Sequence, residues 1–398
     1  MDADVVIVGA GPAGASAAIH LARAGRDVVV VDRASFPRDK VCGDGLTTAA
    51  LRELEDLGVE PNRIDSWIPV SDVWVRSPSG RTSLFPLPDN GAFAAVATRT
   101  ELDAALVDLA RKAGARVLEE HALVSATLGS EAVTVATTGE VVKASFAIGA
   151  DGMWSPLRKQ VGLGLPDYRG EWHAFRQYFG GVTGRAATDL FVFFEPDFLP
   201  GYFWSFPLPD GRANVGFGIQ RGAAHRVQDM KQLWPDLLAR PHISELLGPN
   251  AVALEPHRAW PIPARVDSMP AGTGRVVFVG DAVAACDPLT GEGIGQALQT
   301  GRFAAEAIDR SFRSPTRMQR TYRERLDREL APDHRMSMLL IRAVRHRKGA
   351  RFAIWIASRS DWTRRNFARW LFEDYPRGVI TTPRRWSRSM FTRPGAYR

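Results

Sequence analysis

The chain has 398 residues, of which 45% are hydrophobic and 24% charged. That balance excludes a disordered chain or a small disulfide scaffold and leaves one large interleaved unit or two to three domains. The net charge of +7 hides an asymmetry: residues 311–398 hold 22 Arg and Lys against 7 Asp and Glu, while the rest of the chain is net acidic. An electrostatic partner is therefore expected at the C-terminal end. The two cysteines, Cys42 and Cys286, are far apart, so no disulfide framework or cysteine zinc site is expected and a reducing cytosol is the natural setting. The apolar start lacks a basic leader and is broken by glycines, and no uncharged run is long enough to span a bilayer.

Asp4 to Val8 is a short β-branched run, followed at once by Gly9-Ala10-Gly11-Pro12-Ala13-Gly14 and a helical pattern to Ala24; Gly25 stops it, and Asp27 to Val31 is a second buried strand closed by Asp32. This is a βαβ start. In it Gly9 permits a tight turn, Gly11 lets backbone N–H groups approach a pyrophosphate, and Gly14 lets the helix pack on the sheet. Asp32 is placed to accept hydrogen bonds from a ribose. A dinucleotide site is expected here.

Two further strands end in a carboxylate. Residues 145–149 lead into Ala150-Asp151-Gly152, and Val276 to Val279 lead into Gly280-Asp281, Pro288 and the glycine-rich Gly291-Glu292-Gly293-Ile294-Gly295 before a helix through Ala307. Each aspartate has a plain reading as a cap for the turn that follows its strand. Taken in order, the three segments resemble the FAD-binding pattern of the para-hydroxybenzoate hydroxylase superfamily of flavoproteins, across most of residues 1–310. The resemblance implies FAD contacts from Gly9, Gly11, Pro12, Ala13, Gly14, Asp32, Arg33, Lys40, Cys42, Gly43, Arg99, Val124, Asp151, Gly280, Asp281, Pro288, Gly291, Gly293 and Ile294. Arg99, which opens a helix to Ala113, is the wrong charge for a helix N-terminus, and the resemblance puts it against the FAD phosphates.

Residues 67–97 and 170–262 have another texture, with short alternating strands rich in Phe, Trp and Pro, and a turn at Pro209-Asp210-Gly211. They are expected to form a separate antiparallel sheet. The fold class is therefore α/β, or α+β: a Rossmann-like FAD-binding domain with an inserted antiparallel-sheet substrate domain and C-terminal helices. Its expected parts are 1–66, 98–169 and 268–315 for the cofactor, 67–97 and 170–267 for the substrate, and 316–398 as a basic helical region.

Two segments point to the reaction. Lys40-Val41-Cys42-Gly43-Asp44-Gly45 resembles the Lys-x-Cys-Gly-Gly motif of geranylgeranyl reductases, with Asp44 in place of the second glycine. Tyr202-Phe203-Trp204-Ser205-Phe206-Pro207 is similar to their Tyr-x-Trp-x-Phe-Pro strand. The period of two puts Tyr202, Trp204 and Phe206 on one side, as an apolar wall for a hydrocarbon or as an ordinary aromatic core strand. The resemblance implies reduction of isolated isoprenoid C=C bonds, with Cys42, Gly43 and Asp44 at the catalytic site and Cys42 protonating or positioning the alkene. Cys42 also has a plain reading as a small buried hydrophobe.

A flavin hydroxylase of an aromatic or polyketide substrate is the rival enzyme, because one fold hosts both chemistries; a non-catalytic electron-transfer partner is a further alternative. The Trp-x-Trp-x-Ile-Pro strand of halogenases is absent. No second Gly-x-Gly-x-x-Gly occurs, so NAD(P)H or another electron donor is expected only transiently. The eight histidines show no metal-ligand spacing and no hydrolase triad pattern occurs, so no metal is expected. The basic C-terminal region carries Phe352, Trp355, Trp362, Phe367, Trp370, Phe372 and Trp386 among its arginines. It reads either as a peripheral contact with anionic lipid on the cytoplasmic membrane or as a helical cap over the substrate pocket. Nucleic acid is not expected, since no binding module is recognisable.

Overall fold

The computed structural model describes residues 1–387 and 389–398. One sheet carries the strand order Gly272–Thr273, Val276–Phe278, Val141–Gly149, Asp2–Val8, Val28–Val31, Arg116–Leu118, extended by the antiparallel strands Leu123–Leu128 and Val133–Thr137. Its centre is parallel, with Ile7 opposite both Val30 and Ile148. These strands are covered on both faces, which is why their sequences read as continuous β-branched runs.

Helix α1 (Pro12–Arg23) crosses between the first two of these strands in sequence, and α2 (Thr48–Leu57) and α3 (Arg99–Lys112) follow. A short α4 (Pro156–Gln160) comes after the strand ending at Gly149. Helices α5 (Met230–Leu238) and α6 (Pro241–Leu247) belong to the second sheet, and α7 (Ile294–Arg310) returns to the first. A Cβ on Gly301 would lie 2.3 Å from the Ala13 carbonyl oxygen, so this glycine lets α7 approach α1; the Ser16 hydroxyl donates to the Leu298 carbonyl across the contact at 2.8 Å.

The second sheet runs Val252–Ala253, Trp172–Gly180, Arg212–Gln220, Tyr202–Leu208, Leu190–Phe193, Asp72–Arg76, Thr82–Pro86, with Arg258–Ile262 also paired to Trp172–Gly180. The hairpin joining Tyr202–Leu208 to Arg212–Gln220 turns at Asp210 and Gly211, both at positive φ, as the turn residues require. One face packs on α5 and α6 through Phe203, Phe217, Trp234 and Leu237, leaving the other toward the first sheet.

The expectation for residues 67–97 needs correction in two ways. Leu190–Phe193 pairs with Asp72–Arg76 in parallel, so the sheet is mixed. The segments Ile68–Pro69 and Ala94–Val96 leave it altogether and join Gly45–Thr47 in a three-stranded sheet between the two large ones. Alternating hydrophobicity identifies a strand but not the sheet that receives it.

Helices α8 (Pro315–Glu329), α9 (Ala331–Val344), α10 (Arg347–Ala357) and α11 (Asp361–Leu371) complete the chain. Helix α8 is tied to the first sheet by the Tyr322 hydroxyl, which donates to the Phe278 carbonyl, and α10 and α11 pack on the strands near Phe85 and Leu190. The last residues fold back: Ala396 bridges to Ala92, and the Tyr397 ring packs edge-on against Trp67. No described helix is long and apolar enough to cross a membrane.

Candidate functional site

A single cavity of about 890 Å³ runs between the two sheets and under the C-terminal helices. Its polar end is made by backbone. Gly9 sits at φ +103, and a Cβ there would lie 2.4 Å from the Ala150 carbonyl oxygen; a Cβ on Gly14 would lie 1.9 Å from the Gly9 oxygen. Gly11, Pro12 and Ala13 present the start of α1 to the cavity, where N–H groups and the helix dipole favour a phosphate. Asp32 accepts the Ala10 N–H at 2.7 Å and the Ala34 N–H at 2.9 Å while facing the same space. Glycines that no side chain can replace, a helix start and a carboxylate fit the diphosphate and ribose of FAD.

Arg33, Lys40, Cys42, Gly43, Asp151, Gly280, Asp281, Gly291, Gly293 and Ile294 also line the cavity. Asp151, however, spends its oxygens on the Ser155 hydroxyl at 2.6 Å and the Leu157 N–H at 2.8 Å, so its capping role is the one the geometry displays. Gly14 acts by helix packing without lining the cavity. Val124 is 57% exposed and lies outside it, with Ala122 and Leu123 on the wall instead, and Pro288 is buried behind it. Neither side chain had a local signal that separated it from its neighbours.

Arg99 lines the cavity, yet its guanidinium is bound through two 2.7 Å hydrogen bonds to the fully buried Asp103. The cation beside the glycine turn is Arg38, 3.6 Å from where a Gly11 Cβ would be and 3.0 Å from Asp103. Sequence reasoning passed over Arg38, although its position in Pro37-Arg38-Asp39-Lys40 was a signal. Asp39 binds Arg176 and Arg258, which ties this loop to the second sheet.

At the middle of the cavity Lys40 pairs with Asp281 at 3.2 Å. Burial pushes the Asp281 carboxyl up, but the Lys40 ammonium, the Cys286 hydrogen bond and the Arg99 charge together hold the group below its usual range. The Cys286 thiol donates to Asp281 at 3.3 Å, and burial raises its pKa well above the thiol norm. Cys42 faces the cavity with its thiol likewise pushed up by burial. Gly43 and Gly45 let its loop lie against the aromatic strand, since a Cβ at either would come within 3.3 and 2.8 Å of Phe206.

Asp44 departs from the expected catalytic placement: it is fully buried and does not line the cavity. Its φ of +64 is the left-handed conformation for which the resembling motif uses glycine. The carboxylate points into the second sheet, where it accepts the Tyr178 hydroxyl and the Asn214 amide, each at 2.7 Å. Burial raises its pKa to about 6 against these hydrogen bonds. Asn214 also donates to the Cys42 carbonyl at 2.9 Å and accepts the Trp204 indole N–H at 3.1 Å. Asp44 thus anchors the Cys42 loop from behind. Sequence reasoning passed over both partners; a polar residue in an apolar strand was the available signal for Asn214, and Tyr178 had none.

The far end is apolar. Tyr202, Trp204 and Phe206 line it together, as their period of two predicts, with Leu190, Val192 and Phe194 beside them. Leu340, Val344, Ile354, Phe367, Trp370 and Leu371, from α9 to α11, close the other side. Among the described residues no group of three or more His, Cys, Asp or Glu is gathered as metal ligands.

Comparison with known proteins agrees with this architecture. The family described as FAD binding domain matches residues 2–326. The chain is 36% identical over 352 residues to a menaquinone reductase of Mycolicibacterium smegmatis, covering 80% of this chain and 81% of that protein. It is 35% identical over 353 residues to a digeranylgeranylglycerophospholipid reductase of Methanopyrus kandleri, covering 83% of each. A geranylgeranyl bacteriochlorophyll reductase-like structure from Thermoplasma acidophilum superposes with a TM-score of 0.79 at 22% identity, over 97% of this chain and 99% of that one. The flavin-dependent brominase Bmp2 superposes at 0.75 with 18% identity over 94% and 93%. At those identities the two structures speak for the fold alone.

Proposed function

The chain belongs to the FAD binding domain family, among its reductases of isoprenoid chains, and on that premise we propose that it saturates isolated C=C bonds in the prenyl chain of a quinone or glycerolipid. The observation that carries this reading is the continuity of one cavity from the glycine turn of α1 to an apolar slot between the Tyr202–Phe206 strand and α9 to α11. FAD, when bound, supplies the hydride. The glycine turn and Asp32 would hold its diphosphate and ribose, and the loop Gly291–Gly293 would meet its ring.

The protein's own share is orientation and dryness. Trp204 and Phe206 lay the hydrocarbon along the wall, and Cys42, its loop held by Asp44 and Asn214, packs beside the reacting bond. NAD(P)H or another donor visits to reduce the cofactor. Phe352, Trp355 and Trp362 are 60%, 47% and 67% exposed on the outer side of the helices that roof the slot. Set among arginines, they suit the boundary of an anionic membrane, from which a prenylated substrate would enter.

The test is anaerobic: the chemically reduced protein is mixed with menaquinone and with geranylgeranyl lipids, and the products are weighed by mass spectrometry. The reductase reading predicts a gain of two hydrogens per bond. No change without oxygen, and a gain of one oxygen atom in a parallel run with air, would replace it with hydroxylation.

A further inference from the structure

Saturating an alkene takes a hydride at one carbon and a proton at the other, and the groups around the middle of the cavity are not equal candidates for the proton. Lys40 is committed to Asp281, and together with the Cys286 hydrogen bond and the Arg99 charge it holds Asp281 ionised. The thiols of Cys42 and Cys286 and the hydroxyl of Tyr202 are all pushed above their usual ranges by burial. Glu292 remains. It faces the cavity between Gly291 and Gly293 and accepts the Gly295 N–H at 2.8 Å. The two glycines that flank it lie against the other candidates: a Cβ on Gly291 would be 3.6 Å from the Tyr202 hydroxyl and one on Gly293 2.8 Å from the Cys286 sulfur.

Behind Glu292 the C-terminal segment brings Glu373, which accepts the Gln296 amide at 2.9 Å and the Thr47 hydroxyl at 3.2 Å. Asp287 stands in the same loop as Glu292, and the buried Arg377 lies 3.1 Å from Asp287 and 3.3 Å from Glu373. Asp287 and Glu373 therefore share one guanidinium, while Glu292 beside them is not among its ion-pair partners. An excess buried negative charge is relieved by keeping a proton.

We propose, on the isoprenoid-reductase reading, that Glu292 is the acid that protonates the substrate alkene and that Glu373 keeps it protonated between turnovers. Burial first, and then the Glu373 charge, raise the Glu292 pKa; burial and Asp287 raise that of Glu373 against the pull of Arg377. A carboxylic acid raised toward neutrality is both protonated and a stronger acid than a buried thiol, which is the condition for efficient general acid catalysis. In the step, the alkene would take at one carbon the hydride that bound, reduced FAD supplies. Its π electrons form a C–H bond to the Glu292 proton at the other. The O–H electron pair stays on the carboxylate, where the first-turn N–H groups of α7 stabilise it, and water restores the proton.

The experiment uses the FAD-loaded full chain and a menaquinone substrate. Glu292→Gln is expected to stay yellow and to lose alkene reduction by about a hundredfold or more; retention of turnover within about threefold overturns the assignment. Glu373→Gln removes the neighbouring negative charge, so the loss of rate at rising pH is expected to begin at lower pH than in the wild type; an unmoved limb overturns the role of Glu373. Infrared difference spectra of the cofactor-free protein supply a readout independent of turnover. A protonated-carboxyl band present at neutral pH and absent from Glu292→Gln supports the proposal, and a wild type without that band refutes it. Should the wild type saturate no prenyl chain, the reductase reading fails separately from the infrared result.

Discussion

The first and last stretches of the chain meet at the same cavity and build it by different physics. Residues 1–33 act mainly through backbone: Gly9 at positive φ, Gly14 under a carbonyl, and the open start of α1. The segment from α11 to the C-terminus acts through side chains. Arg369 and Arg377 are each 3% exposed, the first bound to Asp374 and the second to Asp287 and Glu373, while Phe367 and Trp370 close the slot. A site made of backbone leaves a glycine spacing in the sequence. A site made of side chains leaves only composition, and the basic balance of residues 311–398 says nothing of which arginines are buried.

The largest expected effect comes from breaking the backbone end. Gly14→Val forces a Cβ into the space 1.9 Å from the Gly9 oxygen, so the protein is expected to be colourless, with no flavin released on heating. A yellow Gly14→Val protein would mean that the cofactor is held elsewhere.

The C-terminal end is sharpened by Arg369→Met. It leaves the fully buried Asp374 side chain with Arg52 as its remaining ion-pair partner, and losing one member of a buried ion pair costs about 3–5 kcal/mol. Urea denaturation checks this; an unchanged midpoint would return the segment to the status of a solvated tail. At the junction of the two ends, Cys42→Ser is expected to keep the yellow colour and slow alkene reduction by about tenfold, or about 1.4 kcal/mol. That is less than for Glu292→Gln, because here the thiol packs beside the alkene and does not donate the proton. An equal or larger loss for Cys42→Ser would reverse the two roles.

The smallest effect is expected outside the cavity. Replacing the exposed Trp362 by Ala should weaken flotation with anionic liposomes modestly, while added salt weakens it further, since each basic residue near the surface contributes about 1 kcal/mol. Full-length protein that ignores anionic vesicles at low salt would leave the outer aromatic face without a lipid role.

Much of the fold was legible for a physical reason. Parallel strands buried on both faces must be apolar throughout, and the turns after them need glycine or a capping carboxylate, so Asp4 to Val8, Asp32 and Gly280-Asp281 stood out. The alternation of Tyr202, Trp204 and Phe206 likewise predicted a shared face. What escaped were contacts between segments distant in sequence. Asp44 was placed at the chemistry because its motif lies there, but a left-handed backbone turns its carboxylate toward Tyr178 and Asn214. The resemblance puts Arg99 against phosphate, and its misfit with the helix dipole favours a functional reason, but Asp103 one turn along accounts for the charge. Glu292 and Glu373 are 81 positions apart, and only the return of the chain after α11 brings them together.

The most direct measurement is optical. The protein is reduced to its colourless form without oxygen and mixed, still without oxygen, with a geranylgeranyl lipid or menaquinone while flavin absorbance is followed. The account predicts that the yellow band returns on mixing, in proportion to the bonds saturated. Absorbance that stays bleached until air is admitted, with every tested prenyl chain, would contradict it.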